Sequence, residues 1–133
     1  MRGSTVFNAM LNRTIYAACK QQIVTIQGQS ADGDIRWSIS SMQGRRETME
    51  DAHSVLTALR PGTHAFATFD GHRGAETANF AARVLPRVLQ SQARCSTDAK
   101  SLSGSDLRQA FFRIDDMIKD TSHRAELLAL SDL

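Results

Sequence analysis

The sequence predicts an α+β fold, in which antiparallel strands precede helices, and three observations support this class. Residues 35–40 alternate between apolar and polar side chains, which is the period of a half-buried strand. Residues 50–72 hold two apolar stretches around a Pro-Gly pair, a pattern typical of an antiparallel hairpin. After residue 74, apolar residues recur at spacings of three and four, as on one face of a helix.

Composition indicates ordinary globular protein and excludes several function classes. The 133 residues are 41% apolar and 23% charged, which suits one small domain or a portion of a larger one. The net charge of +2 is dispersed, and one Trp and one Tyr offer little base stacking, so we expect no nucleic acid partner. No stretch approaches the roughly 20 apolar residues of a membrane span, so we expect no membrane partner. Cys19 and Cys95 are too isolated for a zinc or disulfide pattern, which favours unreactive thiols in the cytoplasm, with the nucleus as an alternative.

The N-terminal segment, residues 1–34, has no clear period and is treated as separate from residues 35–133. Residues 1–31 contain no acidic side chain, a bias shared with mitochondrial presequences. Their few basic residues are scattered and the helical stripe is poor, which favours a flexible or sheet-adding segment over a targeting one. Residues 27–34 are polar and contain glycine, so they are predicted to form a loop.

The predicted strands follow in order. Ile35, Trp37 and Ile39 share one side of the first strand, and residues 43–48 are polar and turn the chain. The hairpin then has Pro61 and Gly62 at the centre of its turn. Its second strand is nearly continuous in apolar residues, which predicts that both of its faces are covered. This second strand spans His64 to Phe69.

Two helices are predicted after the hairpin. In the first, Pro86 predicts a kink or a break near Arg83, because proline lacks a donor and clashes one turn back. A polar connector, residues 91–104, leads to the second helix, residues 105–120, which Ser103 or Ser105 caps. The apolar stripes of the two helices, predicted to be core, are Ala78, Ala81, Leu85, Val88 and Leu89, and Leu107, Ala110, Phe111, Ile114, Met117 and Ile118.

The hairpin geometry brings distant carboxylates together. With Pro61 and Gly62 at the turn, residue i lies opposite residue 123 − i, so Asp51 lies near His72. The same register pairs His53 with Asp70. A one-residue slip is the alternative, because type I and II turns do not match the twist of a tight hairpin. Under that slip Glu50 shares the face of Asp70.

These side chains are suited to divalent cations and a phosphate. Clustered carboxylates repel one another unless a cation neutralises them, and oxygen ligands favour Mg²⁺, Mn²⁺ or Ca²⁺ over zinc. Gly71 permits an unusual backbone angle that would turn its carbonyl into the site. Arg46 offers a fork that matches phosphate oxygens, and His72 has the natural pKa for donating a proton to a departing alkoxide.

Two motifs resemble those of the PP2C-type metal-dependent serine/threonine protein phosphatases (PPM family). Residues 40–53, Ser-Ser-Met-Gln-Gly-Arg-Arg-Glu-Thr-Met-Glu-Asp-Ala-His, are similar to the first signature of the family. Residues 69–74, Phe-Asp-Gly-His-Arg-Gly, are similar to the second, at the end of a strand and before a helix. The resemblance is strong from Trp37 to about Leu89. It implies a sandwich of two antiparallel sheets flanked by helices.

The resemblance also implies a role for each motif residue. Arg46 would hold the substrate phosphate, and His72 would be the general acid. The implied metal site holds two Mg²⁺ or Mn²⁺ ions, and a metal-activated water attacks phosphoserine or phosphothreonine directly, without a covalent phosphoenzyme. The implied metal-binding residues are Glu50, Asp70, Gly71 through its carbonyl, and Asp51 through a bound water.

Two departures from the family pattern limit the prediction. Arg73 stands where the family usually has a small residue, and this adds a positive charge at the mouth of the site. The later aspartates that complete the family's metal pair have no counterpart, since Asp115 and Asp116 lie on the polar side of a helix and Asp132 is near the chain end. Residues 35–133 are therefore expected to be the N-terminal part of the phosphatase domain, with incomplete sandwich and site.

Two main functions follow, with a plain scaffold a distant third. The first is a protein serine/threonine phosphatase, acting as a monomer on phosphoproteins, whose isolated chain has little or no activity. The alternative is a truncated, catalytically silent relative that binds phosphoproteins or competes for partners. An isolated chain of this kind is also expected to expose strand edges and apolar faces.

Overall fold

The computed structural model describes residues 20–31, 33–95 and 102–130, and within them the predicted α+β class is confirmed. Strands come first and helices follow, as two small antiparallel sheets, β1–β2 and β3–β4, and three helices. The elements are β1 (Lys20–Gln29), β2 (Arg36–Gly44), β3 (Ala52–Arg60), β4 (Thr63–Phe69), α1 (Glu76–Cys95), α2 (Gly104–Lys119), a 3₁₀ turn (Thr121–His123) and α3 (Arg124–Ala129).

The described residues divide into two compact units. The first unit comprises the described residues up to Gly28 together with Arg36–Met49, and so contains most of β1 and all of β2. The second unit comprises Gln29–Ile35 together with the described residues from Glu50 onward, and so contains the β3–β4 hairpin and the helices.

The first unit is a two-stranded ribbon that is longer than the sequence predicts. β1 continues to Gln29, so the loop predicted over residues 27–34 begins too early, and β2 continues to Gly44 rather than turning at Gln43. A cross-strand bond of 3.0 Å joins the hydroxyls of Thr25 and Ser40. Gly28 lies against the indole of Trp37, where a Cβ would come within 2.5 Å of the ring. This close approach explains how a glycine is accommodated within a strand.

The β3–β4 hairpin turns where the sequence predicts, but its register shifts farther along. Arg60 pairs with Thr63 across Pro61 and Gly62, as in the 123 − i prediction. An irregularity between Leu56 and Arg60 then moves the register by two residues. His64 Nδ1 lies 2.6 Å from the Thr57 carbonyl oxygen at this bulge, so the imidazole bonds a backbone group displaced from the ladder.

One face of the hairpin is packed and the other is more open. Phe66 is 51% exposed and Thr68 is also exposed, so the prediction that the second strand is covered on both faces is wrong within the described residues. The other face contacts the core around α1. Its residues are Ala52, Ser54 and Leu56 of β3 with Ala65, Ala67 and Phe69 of β4.

α1 is a continuous helix of 20 residues that passes through Pro86. The predicted break near Arg83 is therefore wrong, and so is the start of the polar connector at residue 91. Leu85 and Leu89 are 5% and 1% exposed, so the helix is held by burial on both sides of the proline. Tertiary packing of this kind outweighs the cost of about 3 kcal/mol for an interior proline.

The hydrophobic core of the second unit forms around α1. Phe80 is completely buried, and its ring meets the edge of the His123 ring at a centroid distance of 5.6 Å. Arg83 and Glu126 form an ion pair of 3.3 Å that joins α1 to α3. The buried apolar cluster contains Leu59, Phe80, Ala81, Val84, Leu85, Val88, Leu89, Ala110, Ile114 and Leu130.

α2 begins as predicted, with Ser103 as its N-cap. The Ser103 hydroxyl accepts from the Asp106 amide, and the Ser103 amide donates to the Asp106 carboxylate at 2.8 Å, which completes a capping box. Donation to the Asp106 carboxylate from the Ser103 amide, and from the Ser103 hydroxyl at 2.8 Å, lowers the pKa of Asp106. The core prediction for its stripe holds for Ala110 and Ile114 but is wrong for Leu107 and Phe111, which are 41% and 49% exposed. α3 had no counterpart among the predicted elements.

Some predictions fall outside the described residues or remain untested. The structure does not describe residues 1–19 of the possible presequence, residues 1–31, and Cys19 is among them. Asp132 also lies outside the described residues. The division between residues 1–34 and 35–133 stays a prediction. Within the described part of the chain, no helix is both long and apolar enough to cross a membrane.

Candidate active site

The two motifs meet where the hairpin ladder ends. The Gly71 amide donates to the Glu50 carbonyl oxygen at 3.2 Å, which extends the pairing beyond Ala52 and Phe69 by two positions. The same register places Asp51 directly across from Asp70. The backbone thus brings Glu50, Asp51, Asp70 and Gly71 together although about 20 residues separate the two motifs in the sequence.

The predicted residue pairs are wrong in detail, because the bulge shifts the register by two. His53 pairs with Thr68 rather than with Asp70, and Asp51 faces Asp70 rather than His72. A shift by two preserves which side chains share a face, since strand side chains alternate with a period of two. The carboxylates of Asp51 and Asp70 therefore start from the same face of the ladder, as the unslipped prediction required. The one-residue slip, with Glu50 on this face, is not observed.

The side chains at this ladder end are largely accessible. Asp70 and His72 side chains are 79% and 85% exposed, and Asp70 Oδ1 lies 3.9 Å from His72 Nδ1. That separation is at the outer limit of an ion pair and is screened by solvent, so it contributes little to stability. Among the described residues, no three His, Cys, Asp or Glu side chains gather closely enough to hold a metal ion.

Gly71 is required for a close backbone approach. It is not among the glycines with positive φ, so the expectation of an unusual backbone angle is wrong. Instead, a Cβ on Gly71 would lie 2.5 Å from the Glu50 carbonyl oxygen and 2.7 Å from the Gly74 carbonyl oxygen. Both obstacles are backbone atoms, so any side chain would push the two motifs apart.

Gly71→Ala is expected to lower the free energy of unfolding by about 1–3 kcal/mol, the usual cost of overpacking a tight site. Urea unfolding followed by circular dichroism measures this. Gly104→Ala is the matched control, because a Cβ there meets no atom within 4 Å and the residue begins α2. Equal stabilities of the two variants would show that the Glu50–Gly71 approach is not tight.

The loop from Gly71 to Glu76 has a constrained backbone and borders a cleft. Arg73 has a φ of 64°, in the left-handed region that costs a non-glycine residue about 1–2 kcal/mol. Its side chain is exposed, as the predicted positive charge at the mouth of the site requires. A cleft of about 410 Å³ lies beside this loop. It is lined by Thr68, Phe69, Asp70, Gly71, His72, Thr77, Ala78 and Ala81.

Arg46 lies in the first unit, in the exposed loop that follows β2. Gly44 starts this loop with a φ of 67°. The side chain amide of Gln43 then donates to the carbonyl oxygens of Arg46 and Glu47, at 2.9 and 2.7 Å. Gln43 belongs to the first motif, but its residue type alone indicated no role for it. The remaining signal was its place immediately before a glycine at a strand end, where turn-forming hydrogen bonds are common.

Comparison with known proteins identifies this arrangement with one family. The family model described as protein phosphatase 2C matches residues 35–131, which include the β2 and β3–β4 strands and the helices. No solved structure gives a significant match to the chain.

Curated relatives agree with the family model. A protein of Oryza sativa subsp. japonica named "Probable protein phosphatase 2C 58" is 43% identical over 107 residues, covering 77% of this chain and 28% of the relative. "Probable protein phosphatase 2C 21" of Arabidopsis thaliana is 40% identical, covering 77% and 29%. "Probable protein phosphatase 1N" of Homo sapiens is 39% identical over 103 residues, covering 74% and 24%. The chain therefore spans less than a third of the length of these relatives.

Proposed function

Since the chain belongs to the protein phosphatase 2C family, we propose that it carries the phosphate-binding residue and the first metal ligands of a metal-dependent protein serine/threonine phosphatase. The observation that supports this most is the Glu50–Gly71 hydrogen bond, which joins the two motifs at one end of a hairpin. The proposed substrates are phosphoserine and phosphothreonine proteins. The proposed oligomeric state is a monomer, and the proposed location is the cytoplasm.

The chain offers the type of ligand that the proposed metal ions need, and it offers part of the number of ligands. The carboxylates of Asp51 and Asp70, with the Gly71 carbonyl, are the hard oxygen donors that Mg²⁺ and Mn²⁺ prefer. The Glu50 carboxylate is proposed as a further ligand, although the alternation of side chains places it on the opposite face of the ladder from Asp70. A Cβ at residue 71 would fill the space between its backbone and the Glu50 carbonyl oxygen, so only glycine permits this close approach. Because the described residues gather no group of three ligating side chains, we propose that they supply one edge of a two-ion site.

The bound divalent cations would supply activation of the attacking water at neutral pH. Side chains of this chain would bind the phosphate and donate the proton. Arg46 would bind two phosphate oxygens through its planar fork and orient the phosphorus. His72, which is well exposed, would give its proton to the serine or threonine oxygen as the P–O bond breaks and the water oxygen bonds to phosphorus.

A second candidate, a non-catalytic phosphoprotein-binding module, is favoured by one observation. Binding through Arg46 needs no third carboxylate, and no group of three ligands is present among the described residues. The two candidates differ in what they require of the same chain. A binder needs affinity for a phosphorylated peptide alone, whereas an enzyme also needs turnover.

The 133-residue chain by itself is expected to show little or no Mn²⁺-dependent hydrolysis of a phosphothreonine peptide. Its proposed ligands supply only one edge of the site, so a second cation should bind poorly. Released inorganic phosphate, measured with and without Mn²⁺, tests this. Turnover like that of an ordinary phosphatase would contradict the expectation and show that these residues suffice.

A further inference from the structure

The loop that carries Arg46 is bonded by the side chain of Gln43, at the end of β2. The Gln43 amide nitrogen donates to the Arg46 carbonyl oxygen at 2.9 Å and to the Glu47 carbonyl oxygen at 2.7 Å. A primary amide has two N–H donors, so this group can satisfy both carbonyls at once. Both bonds span only three or four residues and therefore define the local course of the chain.

The loop is exposed and irregular. Its residues from Arg45 to Thr48 form turns and bends rather than a strand, and all four are exposed. Gly44 has a φ of 67°, and a Cβ there would meet no atom within 4 Å. Gln43 itself is only partly exposed and is the next-to-last residue of β2. Its backbone is thus fixed by the ribbon, and its side chain transfers that order to the loop.

We propose that Gln43 is a positioning residue for Arg46: its two hydrogen bonds hold the loop so that the guanidinium is presented to a phosphate. The proposal rests on the proposed function, in which Arg46 binds phosphate, and adds a residue to that site. Preorganisation of this kind reduces the conformational entropy that the loop loses when a phosphate binds. The role of Gln43 depends on its N–H donors and not on its size or charge.

Gln43→Met tests this role, because methionine has a similar length, no charge and no N–H donor. We expect the variant to bind a phosphothreonine peptide about threefold to tenfold more weakly, which corresponds to the loss of one or two modest hydrogen bonds. NMR titration of the chain with that peptide, and with its unphosphorylated form, measures the affinity. Gln27→Met is the matched control, since Gln27 is an exposed residue of β1 in the same unit.

A double-mutant cycle separates positioning from general destabilisation. Arg46→Ala should weaken phosphopeptide binding, and adding Gln43→Met to it should have no further effect, because Gln43 acts through Arg46. Additive losses would overturn the proposal, as would Gln43→Met binding like the unaltered chain while Arg46→Ala binds weakly. If Arg46→Ala itself leaves binding unchanged, the phosphate role proposed for Arg46 fails, and the positioning role fails with it.

Amide hydrogen exchange gives a second readout that does not involve phosphate. Gln43→Met should raise the exchange rates of amides in residues 45–48 and leave those of β3 unchanged. Unchanged rates in this loop would overturn the ordering role even if binding were weaker. This readout distinguishes a failure of the Gln43 proposal from a failure of the proposed phosphatase site.

Discussion

Asp70→Asn is expected to weaken Mn²⁺ binding to this chain by more than about tenfold, because outer-shell partners of metal ligands already contribute about 10- to 100-fold. Asp70 lies across the ladder from Asp51 and next to Gly71, so its carboxylate is central to the proposed cation edge. An amide is neutral and is a poorer ligand, whereas its volume and hydrogen-bonding reach are almost the same. The unaltered chain is expected to bind a first Mn²⁺ weakly.

Electron paramagnetic resonance of free Mn²⁺ measures this binding directly and needs no turnover. Asp115→Asn is the matched control, because Asp115 is an exposed residue of α2 and has the same change of charge. In a longer protein that contains this chain and hydrolyses phosphopeptides, Asp70→Asn should also abolish the activity. Equal Mn²⁺ binding by Asp70→Asn and the unaltered chain would remove Asp70 from the metal site.

The sequence predicted correctly the turn and the helix cap that depend on one or two residues. The Pro-Gly pair fixed the position of the β3–β4 turn, and Ser103 was a predicted cap of α2. These signals work because a turn or cap is determined by the φ preference or side chain of one or two residues. The α+β order of elements followed from them.

The register of the hairpin differs from the prediction because of a bulge that the sequence pattern does not show. The bulge between Leu56 and Arg60 displaces the ladder by two, and His64 bonds the Thr57 carbonyl there. A histidine in an apolar strand gave no sign of that bond. Asp51 and Asp70 still share a face, because an even shift preserves the alternation of side chains.

Packing explains the other differences between prediction and structure. α1 continues through Pro86 because neighbouring residues are buried on both sides of it, which a propensity argument cannot include. β1 lacks a clean period, and three of its apolar side chains, Ile23, Val24 and Ile26, are more than half exposed. Where the described side chains of a strand are exposed on both faces, as from Gln22 to Gln27, there is no apolar alternation to detect. This exposure agrees with the expectation of uncovered apolar surface.

The assignment of the site residues stays a prediction, and two physical details of the site differ from what the sequence suggested. Gly71 was selected for a backbone angle that it does not adopt, and its actual requirement is the close approach of the Glu50 carbonyl. Gln43 was not selected because its function depends on two backbone carbonyls, which are invisible in a pattern of side chains. Arg46, in the other unit, remains a predicted phosphate ligand.

Phe80→Ala is expected to lower the free energy of unfolding of the second unit by about 3–5 kcal/mol, the usual cost of removing a buried aromatic side chain. Phe80 is 0% exposed and lies in the cluster that joins α1 to the hairpin, α2 and α3. Its ring also meets the edge of His123 at 5.6 Å, a contact that alanine cannot make. Against a typical total of about 5–15 kcal/mol, the loss is large.

Urea unfolding followed by circular dichroism measures the Phe80→Ala effect, and the chain supplies its own control. Phe112→Ala removes the same atoms from a side chain that is 58% exposed and whose ring lies 5.7 Å from the Arg108 guanidinium carbon. That variant is expected to lose less than about 1 kcal/mol. If Phe80→Ala does not fold, Phe80→Leu, which leaves a smaller cavity, should still be less stable than Phe112→Ala. A Phe80→Leu chain as stable as the Phe112→Ala chain would mean that the core is not organised around Phe80. The packing of the helices would then not be what holds the end of the hairpin where the two motifs meet.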